Sequence, residues 1–230
     1  MTYQPPIYEL EKVDEWKSHL ETEGYVVIKN ILDNDYKTEA FEQFKIDWTH
    51  VSPNFHFHNK FTWGIENTPM MYSKGMAVFN GFGNSNFMWK LRLNPNILKI
   101  YQFIHETNEL AVSLDGFSVF LSRKQKSKPW LHIDQNPTNS IYSIQGAYNF
   151  FKVDKEDAGF LVVPRSHLTF TPTVTHKKDW IMMNDKAMTD RAVKLLIPEN
   201  CFTLWNSKLV HSNIGISKSK KSVELNRLTA

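Results

Sequence analysis

The first half of the chain repeats apolar residues at the spacing of amphipathic helices, and three stretches follow this pattern. The first is apolar at positions 10, 13, 16 and 20, and it should end at Gly24 because glycine commonly closes a helix. The second should begin at Asn34 or Asp35, since both residue types cap helices. The predicted helices cover residues 8–22, 34–50 and 94–109.

After about residue 111 the helical spacing gives way to short runs rich in Val, Phe, Ile and Tyr, which predict strands, as does the stretch 24–29. Helices followed by many short strands predict an α+β protein, mainly β, with an antiparallel barrel or sandwich. Residues 54–91 are irregular, and we interpret them as loop and short strand near the barrel mouth, either functional or merely covering. The runs are 111–122, 141–151, 159–163, 193–197, 201–206 and 222–229.

Composition is typical of one globular domain. The chain has 230 residues, of which 41% are hydrophobic and 22% charged. We predict a single domain over 1–230, in which helices and loops over 1–110 support a β core over 111–230. Seven Trp and sixteen Phe indicate an aromatic-lined interior.

Several sequence features bear on the cellular compartment and on the kind of partner that the protein binds. No apolar run reaches the roughly 20 residues of a membrane span, and the N-terminus does not resemble a signal peptide. The single cysteine, Cys201, excludes an internal disulfide and indicates a reducing, cytoplasmic location. A net charge of +3 gives little support to a nucleic-acid partner. We expect a small-molecule substrate, and the oligomeric state is left open.

Three residues form a candidate metal site. His132 and Asp134 stand two apart, so on an extended strand they lie on the same face. His211 follows late in the chain and would reach them from another strand. Two histidines and one carboxylate are the protein ligands of mononuclear non-haem Fe(II) oxygenases. The spacing therefore predicts an iron site with positions left for a 2-oxo acid and O2.

Arg227 is a candidate anchor for an anionic cosubstrate. In a strand, Val223, Leu225 and Arg227 would share a face that is otherwise apolar. A guanidinium there needs a partner, and arginine binds carboxylates through two parallel hydrogen bonds. The chain has only five arginines, and we expect Arg123, Arg165 and Arg191 to matter far less to cosubstrate binding.

Four segments resemble the phytanoyl-CoA dioxygenase-like branch of Fe(II)/2-oxoglutarate oxygenases, and the resemblance runs from about Gly24 to Arg227. It implies a double-stranded β-helix, a jelly-roll barrel of the cupin type. It also implies iron ligands at His132, Asp134 and His211, with 2-oxoglutarate held by Arg227. The segments are Gly81–Arg92, Ser113–Gly116, Trp130–Pro137 continuing to Gln145–Gly146, and Leu204–Asn213.

The chain departs from the family pattern in several places. Arg165 replaces the glycine that usually precedes Ser-His, and Pro198–Cys201 replaces a Gly-Asp turn. Asn206 and Lys208 stand where Asp and Arg are commoner. The spacing from the last histidine to the arginine is longer than usual, with Lys218–Lys221 as the candidate insertion.

The resemblance implies a hydroxylase that uses Fe(II), 2-oxoglutarate and O2 and releases succinate and CO2. Gln145, Asn149 and Asn213 are further candidates for contacts with the cosubstrate or substrate. The alternatives are a binding or structural protein on an inactive barrel, and a nucleic-acid-modifying dioxygenase. Outside the site, His56 and His58 are interpreted as the wet face of a strand, and His167 as a structural residue that bonds turn backbone; none of the three is predicted to be a ligand.

Overall fold

The structure is a computed structural model, and it describes residues 1–72, 75–121, 129–169, 178–217 and 224–230. Arg123, Lys218–Lys221 and Val223, together with the ends of two predicted strands, lie outside these residues. Within them, no helix is long and apolar enough to cross a membrane. The helices are α1 Val13–Glu23, α2 Asn34–Val51, α3 Asn86–Arg92, α4 Pro95–His105 and α5 Lys186–Arg191.

The strands form two mostly antiparallel sheets, and neither closes into a barrel within the described residues. One sheet has the order β1-β10-β8-β12-β6-β9, and the other has the order β2-β3-β11-β7-β13-β5-β4. The strands are β1 Thr2–Tyr3, β2 Ile7–Tyr8, β3 Tyr25–Lys29, β4 Met76–Ala77, β5 Phe117–Leu121, β6 His132–Ile133, β7 Ile144–Asn149, β8 Gly159–Val162, β9 Ile181–Met182, β10 Val193–Leu195, β11 Cys201–Asn206, β12 His211–Ile214 and β13 Leu225–Thr229.

The largest hydrophobic core lies between the helices and the outer face of the seven-stranded sheet. It includes Trp16 of α1, Phe44 and Trp48 of α2, and Tyr148 of β7. Because side chains alternate along a strand, the neighbours of Tyr148 on β7 turn to the opposite face. That inner face meets the six-stranded sheet through a smaller cluster that includes Cys201. The helices therefore cover one face of the seven-stranded sheet, and the polar residues on its other face point into the space between the sheets.

The helix predictions are right in type and less accurate at the ends. The first helix begins at Val13 rather than at residue 8, with Leu10 buried just before it. It ends at Gly24, whose φ of 82° lies in the left-handed region that glycine tolerates best. The helix α2 begins at Asn34 as predicted, although the capping side chain is that of Asp33, which accepts a hydrogen bond from the Tyr36 N–H.

The third predicted helix, 94–109, is too long, since α4 ends at His105 and Glu106 adopts a left-handed conformation with φ 52°. The preceding region, 54–91, contains more helix than predicted. Short 3-10 turns begin it, and α3 follows, capped by the Ser85 side chain. A seven-residue helix repeats its apolar face only about twice, so the pattern there was too short to recognise.

Six predicted strand runs contain β5, β7, β8, β10, β11 and β13, with β11 matching its run in full. The first and last runs also include residue 122 and residues 222–223, which lie outside the described residues. No apolar run marked β6 or β12, which only the metal-ligand argument placed on strands, and β4 is a short strand of the kind predicted within 54–91. The two-residue strands β1, β2 and β9 and the helix α5 were missed. The N-terminal 110 residues therefore also contribute strands to both sheets.

Candidate active site

His132, Asp134 and His211 come together between the sheets, with one ligand atom of each within 4.8 Å of the others. His132 on β6 pairs directly with His211 on β12. Asp134 does not extend the strand as predicted, because β6 ends at Ile133 and Asp134 lies in a bend. Its N–H donates to the carbonyl of Ser207 at 2.9 Å, which holds the bend against the loop before β12.

Both imidazole rings are oriented by the backbone. His132 Nδ1 lies 3.0 Å from the carbonyl oxygen of Trp130, and His211 Nδ1 lies 2.9 Å from that of Leu209. A carbonyl only accepts, so Nδ1 of each ring carries the proton and Nε2 of a neutral ring presents a lone pair. Such an arrangement orients metal-binding histidines in many proteins.

The two lone pairs face a carboxylate, which also only accepts. His132 Nε2 is 3.4 Å and His211 Nε2 is 3.1 Å from the oxygens of Asp134. Burial lowers the pKa of His132, which disfavours the imidazolium form that could donate to the carboxylate. A bound cation would resolve this contact among acceptors. The donor set of two imidazole nitrogens and one carboxylate fits Fe(II).

Asp134 is in the right charge state for a metal ligand. Burial by itself would raise the pKa of its carboxyl, but hydrogen bonds from His132 and His211, which require a second proton on the ring, outweigh burial and hold the pKa well below its ordinary value. The carboxylate is therefore ionised at neutral pH. Deprotonated ligands are a condition of metal binding.

Three indole rings flank the two histidines. Trp130 stacks on His132 with ring centroids 4.2 Å apart and an interplanar angle of 10°. Trp180 lies 5.5 Å from His132, and Trp205 lies 5.5 Å from His211. None of the three was predicted to belong to the site. The His-x-Asp strand pattern already placed Trp130 on the face of His132, whereas nothing local indicated Trp180.

Arg227 is buried on the inner face of β13, with 4% of its surface exposed. Its Nη1 donates to the carbonyl of Gly159 at 3.1 Å and to Oδ1 of Asn213 at 2.6 Å. Its Nε is buried without a hydrogen-bond partner, and no carboxylate of the described residues forms an ion pair with it. Burial lowers the pKa of Arg227 to about 9. Within the described part of the chain, the guanidinium is thus enclosed without a counter-charge.

The strand around Arg227 differs from the prediction, which placed Val223, Leu225 and Arg227 on one face. The pairing with β5 shifts register between Leu225 and Arg227, as at a β-bulge. Leu225 therefore packs against the helix-side core, while Arg227 pairs with Phe120 and faces the other sheet. Val223 lies outside the described residues. The assumed uninterrupted alternation was wrong, although the inward position of Arg227 was right.

Asn213 connects the histidine corner to Arg227. It lies two residues after His211 on β12, on the same face of the strand. Its Oδ1 accepts from Arg227, while its Nδ2 donates to Ser118 Oγ at 2.8 Å. The amide thus fixes the guanidinium relative to the strand that carries one of the candidate ligands.

Gln145 and Asn149 lie on the inner face of β7, and the structure brings both towards the space between the sheets. Asn149 Nδ2 donates to Thr203 Oγ1 at 3.1 Å, and β13 pairs with β7 at Asn149. Buried polar atoms without partners are rare in folded proteins. Four face this space without a protein partner among the described residues: Gln145 Oε1, Asn149 Oδ1, Trp205 Nε1 and Arg227 Nε. Their concentration in one place indicates a site for a polar ligand.

The other singled-out residues lie outside this space. His56 and His58 are exposed as predicted, but they lie in a turn rather than a strand. His167 Nε2 lies 2.9 Å from the carbonyl of Glu21, which agrees with a structural role, although the backbone belongs to α1 and not to its own turn. Arg165 forms an ion pair with Glu23 at 2.6 Å. These contacts fasten α1 to the loop after β8.

No known protein-family profile matches the chain. It is 26% identical over 224 residues to the Ava biosynthesis cluster protein O of Aspergillus versicolor, covering 87% of this chain and 72% of that protein. Among solved structures, it resembles GlcNAc Inducible Gene 2, GIG2 (DUF1479), from Candida albicans with a TM-score of 0.70 and 11% identity over 98% of this chain. The chain spans 65% of that protein, just under two thirds.

It also resembles the epimerase SnoN, solved in complex with Fe3+, alpha ketoglutarate and nogalamycin RO. The TM-score is 0.60 and the identity 16%, over 95% of this chain and 83% of SnoN. The likeness shows a shared fold. At these identities it does not carry activity or substrate from one protein to the other.

Proposed function

We propose that the protein is a non-haem Fe(II)- and 2-oxoglutarate-dependent oxygenase of the phytanoyl-CoA dioxygenase-like branch, which hydroxylates a small molecule. The observation that carries the proposal is the joint placement of two sites in one space. The acceptor atoms of His132, Asp134 and His211 converge at one corner. The guanidinium of Arg227, whose Nε has no hydrogen-bond partner among the described residues, faces the same space. The first arrangement suits a divalent metal, and the second suits the free carboxylate of a dicarboxylic cosubstrate.

The strand order supports a double-stranded β-helix. Four central strands of one sheet, β5-β13-β7-β11, face four of the other, β6-β12-β8-β10. From β5 to β8 and from β10 to β13, successive strands alternate between the sheets, apart from the edge strand β9. This is the pattern that we expect of a jelly roll, in which the ligand-bearing strands β6 and β12 are neighbours.

Each group of residues has its own role in the proposed reaction. His132, Asp134 and His211 would hold iron, which together with 2-oxoglutarate would supply the activation of O2 and the oxidation of an unreactive C–H bond. Arg227 binds the distal carboxylate of the cosubstrate, and Asn213 keeps the guanidinium in place. The side chains with unpartnered polar atoms around them provide further hydrogen bonds, and the tryptophans limit access of water.

The likeness to SnoN favours a second candidate outcome, which is epimerisation with the same cofactors. The two outcomes differ in the product, because hydroxylation adds an oxygen atom to the substrate and epimerisation changes only its stereochemistry. A location in the cytoplasm and a single domain over 1–230 stay predictions.

Metal binding and cosubstrate turnover test the proposal together. We expect the purified protein to bind one Fe(II), or Mn(II) as a surrogate, and to convert 2-oxoglutarate slowly to succinate under O2. His132→Ala should abolish both while the circular dichroism spectrum stays native. His56→Ala/His58→Ala is the matched control, since it removes two exposed histidines far from the triad in sequence.

Full metal retention in His132→Ala/Asp134→Ala would contradict the proposal. Iron-loaded protein that forms no succinate with any of a broad substrate panel would favour an inactive barrel.

A further inference from the structure

The tryptophans of this protein divide into two groups. Trp16, Trp48 and Trp63 are buried in the helix-side core. The other four retain exposed surface, and three of these, Trp130, Trp180 and Trp205, contact the two candidate ligand histidines. Indole surface exposed to solvent is thus concentrated around the proposed metal centre.

Trp180 is the most exposed of the three, at 45%. It precedes β9, which pairs with the ligand strand β6, with Met182 opposite His132 and Ile181 opposite Ile133. Trp180 directly precedes Ile181, and its ring lies beside the end of β6, 5.5 Å from the ring of His132. The indole therefore lies at the rim of the site, with one part in contact with a ligand histidine and another part open to solvent.

The segment before Trp180 is fastened to the loop that follows Asp134. The Asn136 N–H donates to Oδ1 of Asp179 at 3.2 Å, and Asn136 Nδ2 donates to the carbonyl of Lys178 at 3.3 Å. The backbone around Trp180 is thus held near the triad, by strand pairing after it and by these hydrogen bonds before it. A tryptophan side chain has only two χ angles, so it offers a large contact surface with little side-chain entropy to lose on binding.

Two charged side chains near this rim already have hydrogen-bond partners within the protein. Asp179 accepts from Asn136, and the ammonium of Lys208 donates to the carbonyls of Pro137 and Asn139. What Trp180 offers to an incoming molecule is therefore mainly its π face. Such a face binds flat conjugated rings by offset stacking, and it also attracts organic cations.

We infer that Trp180 is a specificity-determining residue that stacks on the substrate, and that the substrate carries a flat, conjugated ring system. This inference rests on the proposed function, because it takes the triad as the reaction centre. The tilted contact between Trp180 and His132, at 32°, sets the indole beside the metal ligands rather than parallel to them. A ring stacked on Trp180 would hold the rest of the substrate next to the metal.

Binding of 2-naphthol and its saturated analogue decahydro-2-naphthol tests the inference by isothermal titration calorimetry on the full chain loaded with Mn(II). We expect 2-naphthol to bind more tightly than the saturated analogue. Trp180→Ala should weaken 2-naphthol binding about 3- to 10-fold and leave the analogue within about twofold, while Trp180→Phe retains most of the affinity. Trp89→Ala is the control, because Trp89 is a partly exposed indole on α3.

Four results would overturn the inference. The first is that 2-naphthol does not bind the unchanged protein. The second and third are that Trp180→Ala weakens the binding of both probes equally, or leaves the affinity for 2-naphthol unchanged. The fourth is that Trp180→Ala weakens the binding of cyclohexyltrimethylammonium more than that of 2-naphthol, which would indicate a cationic substrate. Mn(II) stoichiometry is measured separately on each protein, and 2-naphthol is also titrated into metal-free protein. Loss of metal binding with retained stacking would contradict the proposed function, whereas intact metal binding without stacking would contradict this inference alone.

Discussion

Two buried cationic side chains lie in the same part of the molecule, and they differ in how many of their hydrogen-bond donors have acceptors. Lys194 on β10 and Arg227 on β13 are 6% and 4% exposed. The ammonium of Lys194 donates to three backbone carbonyls, those of Asp154, Lys155 and Asp157. Arg227 shares one nitrogen between two acceptors and leaves Nε without a partner.

The difference shows that burial of a positive charge does not by itself indicate a functional residue. An ammonium has three donors, and all three of Lys194 are used to hold the loop between β7 and β8. A guanidinium has five donors in a planar fork, and Arg227 faces the space beside the triad with part of that fork unpaired. The comparison therefore predicts a structural role for the lysine and a ligand-binding role for the arginine.

Removing the arginine should have the largest effect. We expect Arg227→Ala to raise the 2-oxoglutarate concentration needed for half-maximal succinate formation about 30- to 1000-fold, since truncating one partner of a buried charge pair costs about 2–4 kcal/mol. Arg227→Lys should also raise it strongly, because lysine keeps the charge and loses the planar fork. Unchanged cosubstrate dependence in Arg227→Ala would mean that another residue binds the carboxylate.

The lysine should show the reverse pattern. Lys194→Met leaves three carbonyls without their donor, so we expect a loss of about 1–3 kcal/mol in the free energy of unfolding, measured by urea denaturation. The 2-oxoglutarate requirement should change little, provided that the variant is assayed well below its melting temperature. A selective rise in that requirement with normal stability would remove the distinction between the two cations.

A carboxylate placed beside Arg227 should compete with the cosubstrate. Asn213→Asp keeps the shape of the side chain and puts a negative charge within reach of Nη1, at the 2.6 Å contact that now joins the two residues. We expect the metal-free protein to melt at a higher temperature and the 2-oxoglutarate requirement to rise about 10-fold. If 2-oxoglutarate binds Asn213→Asp as well as the unchanged protein, the guanidinium is not its anchor.

The smallest effect is expected at an arginine that already has its partner. Arg165 is exposed and forms an ion pair with Glu23. Exposed pairs contribute little, so Arg165→Ala should leave the 2-oxoglutarate requirement within about twofold. A larger change would show that 2-oxoglutarate binding depends on positive charge in general and not specifically on the partly unpaired guanidinium of Arg227.

The local sequence pattern was sufficient to predict those helices and strands that form because one face of the element must be buried. The spacing of apolar residues identified α1, α2 and α4, because a helix buries one face every 3.6 residues. The same reasoning found the six apolar strands. Residue chemistry proposed His132, Asp134 and His211 as ligands, and the family resemblance of the flanking segments distinguished this short pattern from a chance occurrence.

Local pattern failed where burial comes from distant parts of the chain. The strand β12 reads His-Ser-Asn-Ile, which has no apolar alternation, and it is a strand because β6 and β8 pair with it on both sides. The bend that carries Asp134 depends on the carbonyl of Ser207, which is more than seventy residues away. Neither partner is visible in a window of local sequence.

The sequence by itself determined which side chains could bind a metal and a carboxylate, because that follows from their donor and acceptor atoms. Only the tertiary structure decided that they share one space. It turned Arg227 inward through a bulge beside Leu225, tied it to Asn213, and brought Trp180 next to His132. These placements arise from pairing between strands far apart in the chain, and the energy of such pairing depends on the whole fold rather than on any local stretch.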